Sequence, residues 1–300
     1  MLRVIVSGAS GLIGQELARS LRSDGHEVIE LVRRAPRNAS EVEWRPGEAA
    51  LDPDQLRGAD AVVNLNGASI GRLPWTKGYR RTLRSSRIAP TRTLADALAA
   101  LGDEAPHFLS ASAVGFYGSR PAELLTEEAS PGTTFLARLC VEWERVAATA
   151  GPAARVTHLR TAPLLHRSAT LKPMILLTKL GLGGPLGSGR QYWPWISLTD
   201  EVRAIRHLIE RGISGPVNLC GPSRATAGSI GRELASQLHR PFLVPAPAPA
   251  LRLALGRDAA DSLLLADAQV AANALATSDF EFEHPTVSEA IASGLASGLT

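Results

Sequence analysis

The feature that most constrains this sequence is a glycine-rich turn near its amino terminus. The turn contains Gly8, Gly11 and Gly14 and lies within the segment MLRVIVSGASGLIGQELARSL. The apolar run before it predicts a buried strand over 2–7, and the amphipathic stretch after it predicts a helix over 12–24. In such a unit the glycines allow a tight turn, a close approach of backbone to pyrophosphate, and close packing of the helix on the sheet. The turn therefore predicts a dinucleotide site, with a purely structural glycine-rich turn as the alternative.

The start of the predicted helix supplies the groups that would hold the phosphates. The first N–H groups of a helix lack partners within it, and the positive end of the helix dipole favours an anion there. Ser10 can add a hydroxyl group. The predicted cofactor contacts in this turn are Gly8, Ser10, Gly11, Leu12, Ile13 and Gly14.

Strand-like and helix-like segments alternate along the first half of the chain. This alternation predicts an α/β fold, a Rossmann-type doubly wound parallel sheet, because each helix carries the chain back to begin the next parallel strand. The helical stretch from Trp75 to Leu101 contains Pro90, which predicts a break there. The other elements predicted in this region are strands at 27–32, 42–44, 60–65, 107–111 and 154–159 and a helix at 134–150.

The pattern loosens after the last of these strands, which predicts a second, smaller unit. We expect a nucleotide-binding Rossmann domain at 1–165, which can also take in parts of 190–220, and a C-terminal substrate lobe at 166–300. Within the lobe, Asp200 is expected to cap a helix. The segment PAPAPA at 245–250 is expected to form a hinge before a small helical tail.

The composition argues against several classes of protein. The 300 residues carry a formal net charge of only +3 with scattered basic residues, so nucleic-acid binding is not expected. No uncharged apolar stretch reaches the roughly 18 residues of a membrane span. Cys140 and Cys220 are too few for a disulfide framework and lie in no metal-ligand spacing. We expect a cytoplasmic protein with a small-molecule substrate and no metal site, and the sequence leaves assembly as a homodimer open.

The end of the second predicted strand indicates which nucleotide binds. An acidic residue at this place holds the ribose 2′-hydroxyl of NAD, whereas an arginine accommodates the 2′-phosphate of NADP. Here the strand ends in Arg33 and Arg34, and Glu30 lies too early to reach the ribose. We therefore predict NADP (NADPH) as the cofactor, with Arg33 as the main phosphate ligand. The alternative is that both arginines are solvated surface residues.

Motifs along nearly the whole chain resemble those of one family. GASGLIG, VVNLNGASI and SASAVGFYG look like the extended short-chain dehydrogenase/reductases, and more narrowly like an atypical branch of epimerase-family proteins similar to nucleoside-diphosphate-sugar epimerases. The resemblance implies a Rossmann-type NADP-binding fold with a substrate lobe, and it leaves the substrate open. Further matching stretches lie at 75–94, 135–144, 183–200, 215–222, 238–245 and, for the small C-terminal domain of that branch, 280–291.

Residues that follow core strands are further candidates, because ligands of such sheets bind at the carboxyl ends of the strands. Those expected along the adenosine half of the cofactor are Asn64, Asn66, Gly67 and Ala68, and Arg160 follows the last core strand. Trp193 and Trp195 lie in a glycine-rich segment. They either line a substrate cleft or cap the small lobe.

The resemblance also implies a catalytic pair that this chain does not contain. Related enzymes use a tyrosine as acid and base, with a lysine four residues later that lowers the pKa of the phenol. None of the three tyrosines here is followed by lysine at that spacing. Where the family architecture places the pair, this sequence has Leu136 and Cys140. Cys140 shares an apolar helix face, which favours an inert buried thiol over a nucleophile.

Ser112 and Tyr117 remain as the candidate catalytic residues. Ser112 follows a predicted core strand, where it can hold a substrate hydroxyl or simply end the strand with a hydrogen bond. Tyr117 lies on the next loop and can act as a substitute acid. Without a lysine its phenol is a poor base at neutral pH. The alternative for Tyr117 is a packing or substrate-contact role.

These observations predict an NADP-dependent oxidoreductase or epimerase that acts on the carbonyl or alcohol group of a small molecule. The missing tyrosine–lysine pair supports a second hypothesis from another class. The chain would then be a catalytically weak NADP-binding sensor or scaffold, because general acid–base help is worth about 10²–10⁴ in rate.

Overall fold

A seven-stranded parallel sheet forms the centre of the computed structural model, which describes residues 1–296. In chain order the strands are β1 (Arg3–Ser7), β2 (Glu27–Val32), β3 (Glu41–Glu43), β4 (Ala61–Asn64), β5 (His107–Ala113), β6 (Leu124–Leu125), β7 (Val156–Thr161), β8 (Gly215–Leu219) and β9 (Gln269–Val270). The sheet order is β3-β2-β1-β4-β5-β7-β8, while β6 and β9 form a separate two-stranded sheet. The predicted Rossmann-type α/β fold is confirmed.

Helices cover both faces of the large sheet. They are α1 (Leu12–Ser23), α2 (Lys77–Leu101), α3 (Phe135–Ala147), α4 (Leu171–Lys179), α5 (Leu198–Arg211), α6 (Ala227–Gln237), α7 (Ala248–Leu255), α8 (Arg257–Leu263), α9 (Asn273–Ala276) and α10 (Val287–Ala296). Side chains alternate across β1, so Val4 packs in a cluster with residues of α1 and α5, and Ile5 packs with residues of α2. Both faces of β1 are therefore buried, as its continuous apolar run requires.

Helix α2 passes through Pro90 without a break, so the break predicted there is wrong. A proline inside a helix removes one hydrogen bond and crowds the preceding turn. Here both ends of α2 pack against the protein, with Leu83 before the proline and Leu94 and Leu98 after it fully buried. Tertiary packing therefore outweighs the local preference.

The cap predicted for Asp200 belongs to Ser197. The Ser197 side chain caps α5 by accepting from the backbone N–H of Asp200 at 3.0 Å. The buried Asp200 carboxylate instead accepts from the backbone N–H groups of Glu283 (2.7 Å) and His284 (3.1 Å). Its role is to hold the C-terminal segment against the sheet domain.

The C-terminal lobe has an apolar core of its own. Trp193 and Trp195 are buried in that core together with residues of α6 and α10. The segment predicted as a hinge is anchored, because Ala246 exchanges backbone hydrogen bonds with Pro185 and Gly187 before α7 begins. The last part of the predicted helical tail, 297–300, lies outside the described residues. Among residues 1–296, every helix is too short or too polar to cross a membrane.

Candidate active site

The glycine turn closes β1 onto α1 and leaves no room for side chains at two of its positions. Gly8 has φ +80°, and a Cβ built there would stand 2.8 Å from the carbonyl carbon of Leu65. A Cβ on Gly14 would overlap the carbonyl oxygen of Gly8. The turn is therefore as tight as the spacing predicts, with the helix start pressed against the strand end.

The amino terminus of α1 is open toward the carboxyl edge of the sheet. Gly11 is its N-cap residue, and no side chain of the described protein caps the helix start. The backbone N–H groups of Leu12, Ile13 and Gly14 belong to the first turn, where a helix cannot satisfy its own donors. Ser10 is exposed beside them. An anion placed here would gain hydrogen bonds and the helix dipole without displacing a protein group.

Arg33 and Arg34 follow β2 and are held in different ways. The Arg34 guanidinium pairs with both carboxylate oxygens of Glu41, at 2.7 and 2.6 Å. Arg33 is exposed and makes no hydrogen bond or ion pair with any residue from 1 to 296. Glu30 pairs with Arg22 of α1 at 2.8 Å. The free cation at the end of β2 is therefore Arg33, and the carboxylate that could favour NAD is already paired.

The loop after β4 approaches the turn through its backbone. Asn64 is fully buried and binds Ser7 (3.0 Å) and Thr91 (2.8 Å) through its side chain. Its predicted contact with the cofactor is therefore not available to the side chain, which instead ties β4 to β1 and α2. Asn66 also donates to the Ser7 hydroxyl, at 2.8 Å. Gly67 is exposed and Ala68 is partly buried in this loop, and a role for them in binding the cofactor stays a prediction.

Ser112, at the carboxyl end of β5, donates a hydrogen bond to a carboxylate that the sequence did not reveal. Its hydroxyl lies 2.7 Å from Oε1 of Glu144 on α3. The same carboxylate accepts two hydrogen bonds, both 2.9 Å, from the guanidinium of Arg160 on β7. Ser112 and Arg160 are in register across the two strands, so both side chains reach the face that α3 covers. The result is a nearly buried ion pair that fixes the serine hydroxyl.

Arg160 is used entirely by this network, so its predicted role in cofactor binding is reassigned. Besides Glu144, its guanidinium donates to the Tyr117 hydroxyl at 2.9 Å and to the Glu127 carbonyl oxygen at 3.0 Å. Its Cζ also lies 3.6 Å from the centre of the Phe116 ring. Because protein groups already bind this guanidinium on several sides, Arg160 is a structural residue of this network.

Tyr117 is also inside the protein, and its geometry does not favour the substitute-acid role. The side chain is 0% exposed, and its hydroxyl donates to Oδ1 of Asn218 on β8 at 2.7 Å. Burial raises the pKa of its phenol, with Arg160 acting in the opposite direction. In this conformation the hydroxyl has two protein partners and no access to a substrate, which corresponds to the packing role that the sequence left open.

Cys140 is an inert thiol, as its apolar helix face predicts. It is buried on α3, and burial raises its pKa to about 12. A thiol with that pKa is protonated at neutral pH and is a weak nucleophile. Leu136, one turn earlier, is also buried. The two positions that the family resemblance assigns to tyrosine and lysine therefore carry no acid–base chemistry here.

Sequence comparison now identifies the family. Residues 4–220 match the NAD dependent epimerase/dehydratase family. The chain belongs to this family. Residues 246–293, after the sheet domain, match a domain of unknown function, DUF1731.

Two curated relatives and one solved structure illustrate the match. An epimerase family protein of Mycobacterium bovis is 41% identical, covering 96% of each chain, and one of Bacillus subtilis is 32% identical, covering 100% of each. The crystal structure of human epimerase family protein SDR39U1 (isoform 2) with NADPH has a TM-score of 0.87 and 26% identity, and the match covers 98% of this chain and 100% of that one. This epimerase-family chain therefore shares its fold along its length with a protein that was crystallised with NADPH.

Proposed function

We propose that this epimerase-family protein is an NADP-dependent oxidoreductase or epimerase that acts on a carbonyl or alcohol group of a small molecule. The observation that carries the proposal is the uncapped start of α1 behind the glycine turn, with the unpaired Arg33 at the end of the neighbouring strand. The human relative supports it, because that protein was crystallised with NADPH. Hydride transfer to or from the nicotinamide requires a substrate that carries a carbonyl or alcohol group.

The residues present fit such a cofactor. Gly8 and Gly14 close the turn, Gly11 has no side chain that could keep a pyrophosphate away from the backbone, and the first-turn N–H groups are the donors that phosphate oxygens need. Arg33 offers a free guanidinium for a 2′-phosphate, in the geometry that suits phosphate oxygens. When bound, NADPH supplies a hydride at C4 of its nicotinamide ring. The protein's part is to bind the phosphates and to orient the group that reacts.

Ser112 is the residue that we assign to the substrate. Its proton is directed at Glu144, so the hydroxyl oxygen keeps its lone pairs for a hydroxyl donor. Ser112 can therefore accept a hydrogen bond from a substrate alcohol and hold it at the carboxyl edge of the sheet. The ion pair behind it keeps the serine in one orientation, which is the kind of positioning that an enzyme site needs.

Replacing Ser112 by alanine is expected to lower kcat/KM about 10-fold or more, because it removes one hydrogen bond to the reacting group. The affinity for NADPH is expected to stay within twofold of that of the wild type. The measurement follows NADPH absorbance at 340 nm with a panel of nucleotide sugars and small carbonyl compounds, and product analysis detects epimerisation.

Ser110→Ala is the matched control, since Ser110 lies two residues earlier on the same buried face and its hydroxyl has no partner among residues 1–296. Equal turnover in Ser112→Ala and wild type would remove Ser112 from the reaction.

A second candidate function is a catalytically weak NADP-binding sensor or scaffold. The buried Tyr117 hydroxyl favours it, because the remaining tyrosine that could replace the missing acid is occupied by Asn218 and Arg160. Tight NADPH binding without turnover on any compound of the panel would support this function over the first. A partner protein that binds only one redox state of the cofactor-loaded chain would support it further.

A further inference from the structure

Helix α4, on the surface of the C-terminal lobe, is apolar on both of its sides. Leu171 and Ile175 pack against the core of the lobe. The opposite side carries Leu176, which is 61% exposed, and Leu177, which is also exposed. A surface helix usually has polar residues at such positions, so the outward side of α4 is unusual.

The segments on either side of Gly183 extend this apolar surface. Leu182 donates a backbone hydrogen bond to the carbonyl oxygen of Leu177 at 2.9 Å. Leu243 and Val244 both donate to the carbonyl oxygen of Gly183, at 2.8 and 2.9 Å, so the backbone brings the two segments together. We define the leucine face as the exposed residues of α4 and these segments, namely Leu176, Leu177, Leu180, Leu182, Leu243 and Val244. Exposed apolar surface of this kind marks an interaction site.

The charges next to the leucine face have one sign. The two stretches that supply the face, 145–199 and 234–257, contain no aspartate or glutamate. Lys172 and Lys179 lie four and three residues from Leu176 and therefore on the same side of α4. Arg240 precedes the second segment of the face. These three cations are exposed, and none of them forms an ion pair with any residue from 1 to 296.

The use of lysine at this face indicates the kind of partner. Only three of the chain's 32 lysine and arginine residues are lysines, and two of the three are Lys172 and Lys179. Protein interfaces are depleted in lysine and enriched in aromatic residues, whereas the leucine face contains no aromatic residue. At a lipid surface, a lysine stem lies along apolar groups while its ammonium group stays among the phosphates. The composition therefore favours a lipid surface over a protein partner.

The charge also disfavours a second copy of this chain as the partner. A symmetric dimer pairs the same patch of both subunits. The cations at Lys172, Lys179 and Arg240 would then be brought together, and like charges that meet in an interface weaken binding. An anionic surface has the opposite effect, because each of these cations gains from the negative potential.

We propose that the leucine face binds the surface of a bilayer that contains anionic phospholipids. Its apolar side chains enter the boundary between headgroups and acyl chains, and Lys172, Lys179 and Arg240 contact lipid phosphates. Peripheral binding of this kind reaches only about 5–10 Å into the bilayer and requires no spanning helix. The inference is independent of the proposed function, because no residue of the leucine face is assigned to the cofactor or the substrate.

Co-sedimentation of the full chain with lipid vesicles tests the proposal. One set of vesicles contains phosphatidylcholine alone, and the other contains about 30% phosphatidylglycerol as the anionic lipid. The wild type is expected to bind the anionic vesicles at least about 10-fold more tightly than the neutral ones. Most of this preference is expected to disappear in about 1 M NaCl, where the Debye length falls to about 3 Å.

Two double variants separate the apolar and the charged parts of the face. Leu180→Gln with Leu243→Gln is expected to weaken binding to anionic vesicles about 10-fold or more, because it removes two side chains that would enter the bilayer. Lys172→Gln with Lys179→Gln is expected to weaken it about 10- to 30-fold and to leave any binding to neutral vesicles unchanged. Thermal unfolding like that of the wild type shows that the variants are folded.

Leu124→Gln with Val141→Gln is the matched control, because it replaces two exposed apolar residues outside the leucine face, on β6 and α3. It is expected to bind anionic vesicles as the wild type does, and an equal loss in this control overturns the inference. Absence of wild-type binding to anionic vesicles at low salt also overturns it. Unchanged binding after the two leucine substitutions does so as well, because the contact would then be electrostatic alone. A dimer that forms without vesicles and is lost on the leucine substitutions would assign the face to a second copy and overturn the proposal.

Discussion

Replacing Arg160 by methionine is expected to lower the free energy of unfolding by about 3–5 kcal/mol, the loss typical of a broken buried ion pair. The substitution keeps an apolar side chain of similar length but removes both hydrogen bonds to Glu144. The carboxylate, whose side chain is 11% exposed, is then left with Ser112 alone. The Tyr117 hydroxyl loses its second partner at the same time. Chemical denaturation of the two proteins at neutral pH measures the difference.

The size of this effect can be separated from the general effect of removing an arginine. Arg138→Met changes an exposed arginine on α3 and is expected to alter stability by less than about 1 kcal/mol, as for other surface charges. A double variant, Arg160→Met with Glu144→Leu, is expected to recover part of the loss, because it leaves no unpaired buried charge. If Arg160→Met is as stable as the wild type, the ion pair does not hold this face of the sheet together.

Replacing Glu201 by glutamine is expected to stabilise the protein at neutral pH and not at acid pH. Glu201 lies on α5 with 0% exposure, and one of its oxygens accepts from the Thr161 hydroxyl at 2.7 Å. The other oxygen has no partner among the residues described. Burial raises the pKa of this carboxyl to about 8. Near neutral pH the folded protein therefore keeps a proton that the unfolded chain releases.

The sign of the pH dependence follows from this difference. Below the ordinary pKa of a glutamate both states are protonated, so Glu201 does not change stability with pH. As the pH rises from about 4.5 toward 8 the unfolded chain ionises first, and the wild type loses stability. At pH 7 the glutamine variant is expected to exceed the wild type by up to about 3 kcal/mol in free energy of unfolding, and the gain should vanish near pH 4.

Glu210→Gln, on the exposed side of the same helix, serves as the control. A gain that does not change between pH 4 and pH 8 would contradict the assigned pKa.

The parts of this protein that could be predicted from sequence depend on local pattern. The turn at Gly8 and Gly14 is specified by residues a few positions apart, and its geometry agrees with its spacing. The parallel sheet follows from apolar runs separated by helix-length segments, each of which is also local. The position of Arg33 at the end of β2 needs only the end of one such run.

The parts that could not be predicted depend on pairs of residues that only the fold brings together. The sequence pattern predicts that the strand ends before Arg160, because burying a charged residue in a strand is unfavourable unless that residue has a partner. That partner, Glu144, comes from a helix packed on the sheet, and the strand in fact continues to Thr161. The burial of the Tyr117 hydroxyl could not be predicted for the same reason, because its partner Asn218 lies 101 residues away in sequence, on β8.

The missed residue Glu144 left a weak signal in the sequence. It lies one helical turn after Cys140, on the α3 face that carries the buried residues Leu136, Leu139 and Trp143. A carboxylate on an apolar helix face requires a buried partner, and this requirement would have pointed to a buried arginine. The pattern does not identify which of the chain's 29 arginines it is. Strand register decides that question, because it places Arg160 beside Ser112.

Calorimetric titration of the wild type with NADPH and with NADH decides whether this chain binds a dinucleotide at the glycine turn and selects NADPH through Arg33. The same titrations are made on Arg33→Ala and on the control Arg37→Ala from the same loop. The wild type is expected to bind NADPH at least about 10-fold more tightly than NADH, since charge-assisted bonds to a phosphate are worth that much. Arg33→Ala should lose this preference while keeping its affinity for NADH, and Arg37→Ala should keep both. Equal binding of NADH and NADPH by the wild type, or an unchanged preference in Arg33→Ala, would contradict the assignment of NADPH to this site.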